Sequence, residues 1–166
     1  MLKRFFPYKK IKSLYDIDFE DLYDSGVRGL TFDIDNTLVP DSAPADEKTV
    51  GLFKRLKKIG FKCCIISNNG KKRVRPFAEK AGVKYLYKTA KPSRKGFLKA
   101  MKITGSAPEN TVHFGDQLFT DMWGANKVGI RSYLVEPIDR TREPFQIRLK
   151  RILEKIVFLF YRGKNS

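Results

Sequence analysis

The stretch TFDIDNTLVP, residues 31–40, places two aspartates at the end of an apolar run. The run itself, GLTFDID at 29–35, has the apolar and β-branched composition that predicts a buried strand. Asp33 and Asp35 stand two residues apart, and carboxylates this close repel each other and raise each other's pKa. The pair therefore indicates a site where a cation or a chemical role compensates for the repulsion.

Strands and helices alternate outward from this stretch. Further strands are predicted at 61–67, 83–88, 111–116 and 130–137, and helices at 45–60, 71–82, 93–105 and 121–129. The alternation is typical of an α/β fold, a three-layer Rossmann-like arrangement around a parallel sheet with right-handed crossovers. We predict a single domain over 1–166, with its core at about 29–137, a basic and aromatic segment at 1–28 and a basic amphipathic helix at 141–162.

The chain is strongly basic, with 34 Lys and Arg against 18 Asp and Glu and a net charge of +16. Such a charge predicts an acidic partner: nucleic acid, an anionic membrane or a phosphorylated substrate. No apolar run approaches the roughly 18 residues that would span a bilayer, and the first residues lack the apolar stretch of a secretory signal. The adjacent Cys63 and Cys64 predict buried side chains in a reducing, cytoplasmic compartment.

Polar side chains follow four of the predicted strands, at or just beyond the point where each strand ends. They are Asp33 with Asp35, Ser67 with Asn68, Lys91, and Asp116. The carboxyl ends of parallel strands share one edge of a sheet, and ligands bind at that edge in such folds. A calcium loop of the EF-hand type is excluded, because its sixth position must be glycine and is Leu38 here. A structural aspartate pair at a turn is the simpler alternative to a ligand site.

These residue types suit phosphoryl transfer assisted by Mg²⁺. A Mg²⁺ ion between Asp33 and Asp116 would offset their repulsion and the charge of an incoming phosphate. Asp33 is the candidate nucleophile, which would form an aspartyl-phosphate. Asp35 is the candidate general acid, which would protonate the leaving oxygen and then activate water.

The other polar residues of this edge would bind and stabilise the phosphoryl group. Lys91 would offset its growing negative charge, and Asp121 would support Asp116 directly or through a hydrogen bond. Gly115 would allow a close approach of the backbone. Three further side chains are expected to bind phosphate oxygens together with Lys91: Thr37, Ser67 and Asn68.

Four short motifs resemble those of the haloacid dehalogenase (HAD) superfamily of phosphatases. In order, they are DIDNT (33–37), SN (67–68), K (91) and GDQLFTD (115–121). The resemblance implies an aspartate nucleophile, a Mg²⁺ requirement and a parallel sheet in the order 5-4-1-2-3, counting the five predicted strands along the chain. It also implies that the metal is held by the carboxylates of Asp33 and Asp116 and by the backbone carbonyl of Asp35.

The spacing of the motifs leaves no room for a cap domain, the lid that closes over small substrates in many HAD relatives. One loop and one helix fill the gap between the first two motifs, and one helix and one strand fill the next gap. An open site suits a substrate too large to enclose, such as a polymer end, a protein or a lipid at a membrane.

Two basic segments are expected to contact the substrate and its surroundings. Lys71, Lys72 and Arg73 begin a helix beside the predicted site, where cations are disfavoured, so we expect them to contact a second negative group of the substrate. In the helix predicted at 141–162, basic side chains flank an apolar stripe, as is common at membrane surfaces. The stripe is Phe145, Leu149, Ile152, Ile156 and Phe160. The alternative is that the stripe packs on the sheet.

With its short capless core and basic aromatic ends, the chain looks like the YqeG-type group of capless, subfamily III HAD phosphatases, which includes the phosphatidylglycerophosphate phosphatases. The resemblance implies dephosphorylation of phosphatidylglycerophosphate, an anionic phospholipid, by an enzyme peripheral to the inner face of an anionic membrane. Two alternatives stay open: the same chemistry on a nucleic-acid end or a phosphoprotein, and a nucleic-acid- or ribosome-binding module. His113 is predicted to be a core residue rather than a catalytic base.

Overall fold

A six-stranded parallel sheet organises the chain, whose computed structural model describes residues 1–161. The strands are β1 (Lys9–Ile11), β2 (Gly29–Phe32), β3 (Lys62–Ile66), β4 (Lys84–Leu86), β5 (Thr111–Gly115) and β6 (Arg131–Val135). Their order across the sheet is β1-β6-β5-β2-β3-β4. The last five of these are the five predicted strands in the predicted order 5-4-1-2-3, so the α/β fold is confirmed.

In the part of the chain that the structure describes, six α-helices connect and flank the strands. They are α1 (Phe19–Asp24), α2 (Glu47–Ile59), α3 (Lys71–Ala81), α4 (Arg94–Thr104), α5 (Trp123–Asn126) and α6 (Phe145–Leu159). The Asp46 side chain caps α2 by accepting from the backbone N–H of Thr49, and Gly60 ends the helix at φ 121°. The helix predicted at 121–129 is wrong in its bounds, because a π-helical turn, Leu118–Met122, precedes a short α5.

Two hydrophobic layers cover the faces of the sheet. Along β3, Ile65 points into one layer while Cys64 and Ile66 point into the other, as the alternation of side chains along a strand requires. Residues of α1, α2 and α3 fill the first layer, and residues of α4 and α5 fill the second. Both cysteines are free thiols, Cys64 buried as predicted and Cys63 partly exposed.

The N-terminal segment 1–28 packs against the sheet and extends it by one strand. β1 pairs in parallel with β6, with Lys9 opposite Tyr133 and Ile11 opposite Val135. The side chains of Leu14 and other residues of the segment lie in the first hydrophobic layer. The sequence did not reveal β1, because a strand of two lysines and one isoleucine has too few apolar residues to show a period.

The segments between the motif-bearing strands contain no cap domain within residues 1–161. A loop and α2 lie between β2 and β3, and α3 lies between β3 and β4. The edge of the sheet at the carboxyl ends of β2, β3 and β5 is therefore open on that side.

Helix α6 has its apolar stripe turned away from the protein. It buries Arg151, Glu154 and Val157. Seven apolar side chains of α6 and of the residue after it are exposed, and we call them the outer face: Phe145, Leu149, Ile152, Leu153, Ile156, Leu159 and Phe160. The alternative in which the stripe packs on the sheet is therefore wrong. The helix predicted at 141–162 is wrong at its start, because a 3-10 turn, Arg140–Arg142, and then Pro144 precede α6. Arg162 lies outside the described residues.

Within residues 1–161, no helix combines the length and the apolar character needed to cross a bilayer.

Candidate active site

The predicted site residues gather at the carboxyl edge of the sheet. Asp33 follows β2, Ser67 follows β3 and Asp116 follows β5. The backbone N–H of Asp33 donates to the carbonyl of Phe114 at 2.9 Å, which ties the ends of β2 and β5 together. A cleft of about 500 Å³ opens here, and its lining includes seven of the predicted residues: Asp33, Asp35, Ser67, Asn68, Arg73, Lys91 and Asp116.

Lys91 lies between two buried carboxylates. Its Nζ is 2.9 Å from Asp33 Oδ1 and 2.7 Å from Asp121 Oδ1. Burial by itself would lower the pKa of Lys91, but the two carboxylates outweigh it and hold the pKa above its ordinary value. Burial would likewise raise the pKa of Asp121, but Lys91 and His113 hold it below its usual range. Lys91 and Asp121 therefore form a fixed ion pair beside Asp33.

Neighbouring positive groups offset the burial of Asp33 and Asp116 less fully than they offset the burial of Asp121. Burial raises the pKa of Asp33 to about 7 despite the opposing charge of Lys91. Burial also raises the pKa of Asp116 well above its ordinary value, although the Arg151 guanidinium opposes the shift. The charges of Lys91 and Arg151 therefore offset only part of the effect of burial on these two carboxyl groups.

The residues present fit a divalent metal ion. Carboxylate oxygens of Asp33, Asp116 and Asp121 lie within 4.8 Å of one another. Within residues 1–161, five carboxyl side chains are buried but only two lysine or arginine side chains, Lys91 and Arg151. All seven belong to this site. Hard oxygen donors with an excess of negative charge are what Mg²⁺ requires. Asp121 accepts three hydrogen bonds, from Lys91, His113 and the backbone N–H of Gln117. Asp116 accepts one on each oxygen, and Asp33 lies against Lys91, so these two carboxylates keep more capacity for the ion than Asp121 does.

Asp35 lies at the mouth of the cleft, half-buried. Its carboxylate accepts from Arg73 at 2.9 Å, from the Asn69 side chain at 2.7 Å and from the backbone N–H of Ser42 at 2.8 Å. Arg73, which we expected to contact the substrate, is thus paired with Asp35 in the cleft wall. Lys71 and Lys72 are exposed and do not line the cleft.

Asn68 holds the loop that carries Lys91. Its Oδ1 accepts from the backbone N–H of Lys91 at 2.6 Å, and its Nδ2 donates to the carbonyl of Lys91 at 3.1 Å. The amide is therefore already bonded on both sides, and it positions Lys91 in this structure. Ser67 is buried, and its hydroxyl oxygen accepts from the backbone N–H of Asn69 at 3.1 Å, so its own proton is available to a phosphate oxygen.

Gly115 and His113 support the site from behind. A Cβ on Gly115 would lie 2.3 Å from Cγ of Asp121, so the glycine makes room for that carboxylate rather than for a ligand. His113 is buried, with Nδ1 2.9 Å from the Thr31 hydroxyl and Nε2 3.2 Å from Asp121. Burial lowers the pKa of His113. A neutral histidine among core residues agrees with the prediction.

Arg151 of α6 is the part of the site that sequence reasoning missed. It donates to the carboxylate of Asp116 and, at 2.6 Å, to the main-chain carbonyl of the same residue. Thr37 donates to the other oxygen of that carboxylate at 3.2 Å. Arg151 follows no motif and was counted among the basic residues flanking a stripe, so nothing in the sequence distinguished it.

A parallel sheet with paired aspartates, a buried lysine and a second acidic motif at its carboxyl edge is the arrangement expected of an α/β-class enzyme with a carboxylate as candidate nucleophile. The family model for haloacid dehalogenase-like hydrolase matches residues 40–129, which is over half of the chain and includes Ser67, Lys91 and Asp116. The chain belongs to the haloacid dehalogenase-like hydrolases, as the motifs predict. Asp33 and Asp35 lie just before the matched range.

Two curated relatives sharpen the resemblance. The chain is 37% identical over 167 residues to "Probable phosphatase YqeG" of Bacillus subtilis, covering 99% of this chain and 96% of that protein. It is 27% identical over 164 residues to "Phosphatidylglycerophosphate phosphatase 1, chloroplastic/mitochondrial" of Arabidopsis thaliana, covering 89% of this chain and 45% of that protein. The chain therefore spans less than half of the plant protein. The predicted resemblance to YqeG-type phosphatases is confirmed.

Solved structures agree on the fold. An uncharacterized protein from Corynebacterium glutamicum superposes with a TM-score of 0.53 at 22% identity, covering 84% of this chain and 100% of that one. The deoxy-D-mannose-octulosonate 8-phosphate phosphatase YrbI of Haemophilus influenzae superposes with a TM-score of 0.53 at 12% identity, covering 80% and 88%. At these identities the likeness concerns the fold alone.

Proposed function

We propose that this protein is a Mg²⁺-dependent phosphatase that removes the terminal phosphate of phosphatidylglycerophosphate, working at the inner face of an anionic membrane. The observation that carries the proposal is an open catalytic cleft whose rim is α6, the helix that turns its apolar face outward. Pro144 and, from α6, Gln146, Ile147 and Lys150 line the cleft beside Asp33 and Asp116. A phosphate on a lipid headgroup can reach such a cleft while its acyl chains stay in the bilayer.

Charge supports an anionic surface as the partner. Glu154, the acidic residue of α6, is buried, so the exposed charges of Phe145–Leu159 are positive. Together with a net charge of +16 this arrangement favours a membrane rich in anionic lipid. The plant relative's name contains the proposed substrate.

In the proposed chemistry the two aspartates have separate roles. An oxygen of Asp33 attacks phosphorus, a bond from Asp33 to phosphorus forms, and the bond from phosphorus to the glycerol oxygen breaks. Asp35 gives its proton to that leaving oxygen, after exchanging one of its present partners for the substrate. Water then attacks phosphorus and transfers a proton to Asp35, and the bond to Asp33 breaks to release inorganic phosphate.

The remaining groups stabilise charge during both steps. Lys91 lies next to Asp33 and offsets the negative charge of the transferring group, and the hydroxyl of Ser67 donates to one of its oxygens. Mg²⁺ held by Asp33, Asp116 and the carbonyl of Asp35 would supply the positive charge that keeps the carboxylates ionised and binds the phosphate. Thr37 keeps the Asp116 carboxylate in place.

The test is a substrate panel on the purified chain with Mg²⁺ or with EDTA. Phosphatidylglycerophosphate in anionic mixed micelles, a 5′-phosphorylated oligonucleotide and a phosphopeptide are compared at equal phosphate concentration. We expect the lipid to be preferred by at least tenfold in kcat/KM, and Asp33→Asn to abolish release of phosphate from all substrates without loss of folding. Efficient turnover of the oligonucleotide or peptide with little on the lipid would overturn the lipid assignment and leave the phosphatase assignment standing. Binding of nucleic acid without any turnover would favour a binding module instead.

A further inference from the structure

Arg151 uses its entire hydrogen-bonding capacity inside the site. An arginine has five N–H donors, and five contacts are made here. Besides the carboxylate and carbonyl of Asp116, the guanidinium donates twice to Glu143 Oε1, at 3.0 and 2.6 Å, and once to Glu154 Oε2 at 3.1 Å. The side chain is thereby fixed in one orientation, with two of its donors on a single metal-binding residue.

The two glutamates connect this arginine to the loops that carry the catalytic aspartates. Glu143 accepts from the Asn36 side chain at 3.2 Å, and Asn36 directly follows Asp35. Glu154 accepts from the backbone N–H of Leu118 at 2.8 Å, two residues beyond Asp116. The Arg151 network therefore spans both loops of the metal site from one side.

Packing energy alone does not explain why α6 buries the face that carries Arg151 and Glu154. Moving charged groups out of water is expensive, and replacing a buried ion pair by apolar residues is often neutral or stabilising. The same helix carries an outer face of seven apolar side chains that could have been buried instead. Val157 is the one apolar side chain of α6 that is buried, so the hydrophobic effect alone does not account for a helix that buries Arg151 and Glu154 and leaves leucines in solvent.

We propose that Arg151 is a positioning residue for the metal site, which holds the Asp116 carboxylate in the orientation that binds Mg²⁺. Arg151 fixes one carboxylate oxygen of Asp116, and Thr37 donates to the other. α6 is then a structural part of the active site as well as the element that faces the membrane. This inference deepens the proposed function and rests on it only for the identity of the metal.

The experiment measures Mg²⁺ binding directly, by isothermal titration calorimetry on the full chain without substrate. The variants are Arg151→Met, which removes every donor, and Arg151→Lys, which keeps the charge but cannot bond Asp116 and Glu143 together as the planar guanidinium does. We expect Arg151→Met to weaken Mg²⁺ binding at least tenfold, the usual effect of removing a partner of a metal ligand. The Mg²⁺ affinity of Arg151→Lys should lie between that of Arg151→Met and that of the parent.

Kinetics with p-nitrophenyl phosphate at saturating Mg²⁺ provide the second readout. We expect kcat of Arg151→Met to fall about tenfold or more while KM changes less than threefold, because the phosphate-binding groups are intact. Arg142→Met, which alters an exposed arginine just before α6, is the matched control and should behave as the parent in both measurements. Circular dichroism and thermal unfolding confirm that each variant is folded.

Three outcomes would overturn the proposal. Mg²⁺ affinity within twofold of the parent in a folded Arg151→Met would show that Arg151 does not position the ligand. Tighter Mg²⁺ binding would show that Arg151 competes with the ion for Asp116. Should Arg151→Met fail to fold, the proposal would be overturned by an Arg151→Lys variant that binds Mg²⁺ as tightly as the parent. Since no lipid enters the calorimetry, a failure of the lipid assignment leaves this test unaffected.

Discussion

Helices α2 and α6 have similar apolar periodicity and bury opposite kinds of side chain. α2 buries Leu52, Phe53 and Leu56 and directs its lysines to solvent. α6 buries Arg151 and Glu154 and exposes its leucines and two of its isoleucines, Ile152 and Ile156. The difference lies in what each helix meets: α2 covers the apolar side chains of the sheet, whereas α6 covers the buried carboxylate of Asp116. Periodicity identifies both helices, but the surface beneath each one decides which face is buried.

The largest expected contrast comes from the same substitution in the two helices. Leu56→Ala in α2 removes a fully buried side chain and should lower the free energy of unfolding by about 2–5 kcal/mol. Leu149→Ala in α6, where the side chain is 52% exposed, should change it by no more than about 0.5 kcal/mol. Urea denaturation measures both. A loss of several kcal/mol in Leu149→Ala would mean that the outer face of α6 is covered in solution.

The carboxyl cluster beneath α6 should make the metal-free protein less stable as pH rises. The pKa of Asp33 is about 7 when folded and near 4 when unfolded, so between these values the folded protein holds a proton that the unfolded chain releases. Stability in EDTA should therefore fall between about pH 4 and pH 7, by up to about 1.4 kcal/mol per pH unit from this group. The raised pKa of Asp116 acts in the same direction, whereas the lowered pKa of His113 acts in the opposite one, so the fall is expected from the two carboxyl groups together.

Urea denaturation at several pH values, with EDTA and with Mg²⁺, gives the curve of stability against pH that tests this prediction. Mg²⁺ should flatten the curve, because binding the ion favours the ionised carboxylates. Asp33→Asn in EDTA should flatten it in part. A metal-free stability that rises from pH 4 to pH 7 would contradict the expected state of the cluster.

Changing the outer face of α6 should separate membrane binding from chemistry. Ile152→Ser combined with Ile156→Ser should weaken binding to anionic vesicles about tenfold, since each side chain would otherwise bury apolar area in the bilayer. Turnover of p-nitrophenyl phosphate should stay within twofold of the parent. Vesicle sedimentation at rising salt gives the electrostatic share of binding. Unchanged sedimentation of the double variant would eliminate α6 as the membrane contact.

The smallest effect is expected from the basic start of α3. Lys71→Ala with Lys72→Ala removes two exposed charges that do not line the cleft, so vesicle binding should change less than twofold. KM for a substrate with two phosphates should rise two- to threefold, and KM for one with a single phosphate should rise less. Steady-state kinetics on the two substrates decide the point. Equal changes in both KM values would refute a contact with a second negative group.

Most of the fold and the cleft could be predicted from the sequence. The alternation of apolar strands with amphipathic helices predicts the parallel sheet, and the sheet brings Asp33, Ser67, Lys91 and Asp116 to one edge. These features depend on local patterns and on the geometry that all parallel sheets share.

The parts that were not predicted depend on contacts between distant segments. The pairing of Arg73 with Asp35, the use of Asn68 to hold Lys91 and the contact of Arg151 with Asp116 each join residues far apart in sequence. A basic residue has the same local signature whether it faces water, substrate or a buried carboxylate. For the same reason the sequence left two alternatives open for the apolar stripe of α6, exposure or packing on the sheet.

The two edge strands of the sheet, β1 and β4, affect whether the protein can self-associate. β1 and β4 each have one side without a neighbouring strand within residues 1–161, and unpaired backbone groups of that kind can template aggregation. Each edge strand is three residues long and starts with exposed lysine: Lys9 and Lys10 in β1, and Lys84 in β4. Short strands with positive charges repel a second copy and offer it few hydrogen bonds. The protein can thus expose an apolar helix face while its sheet resists joining another sheet edge to edge.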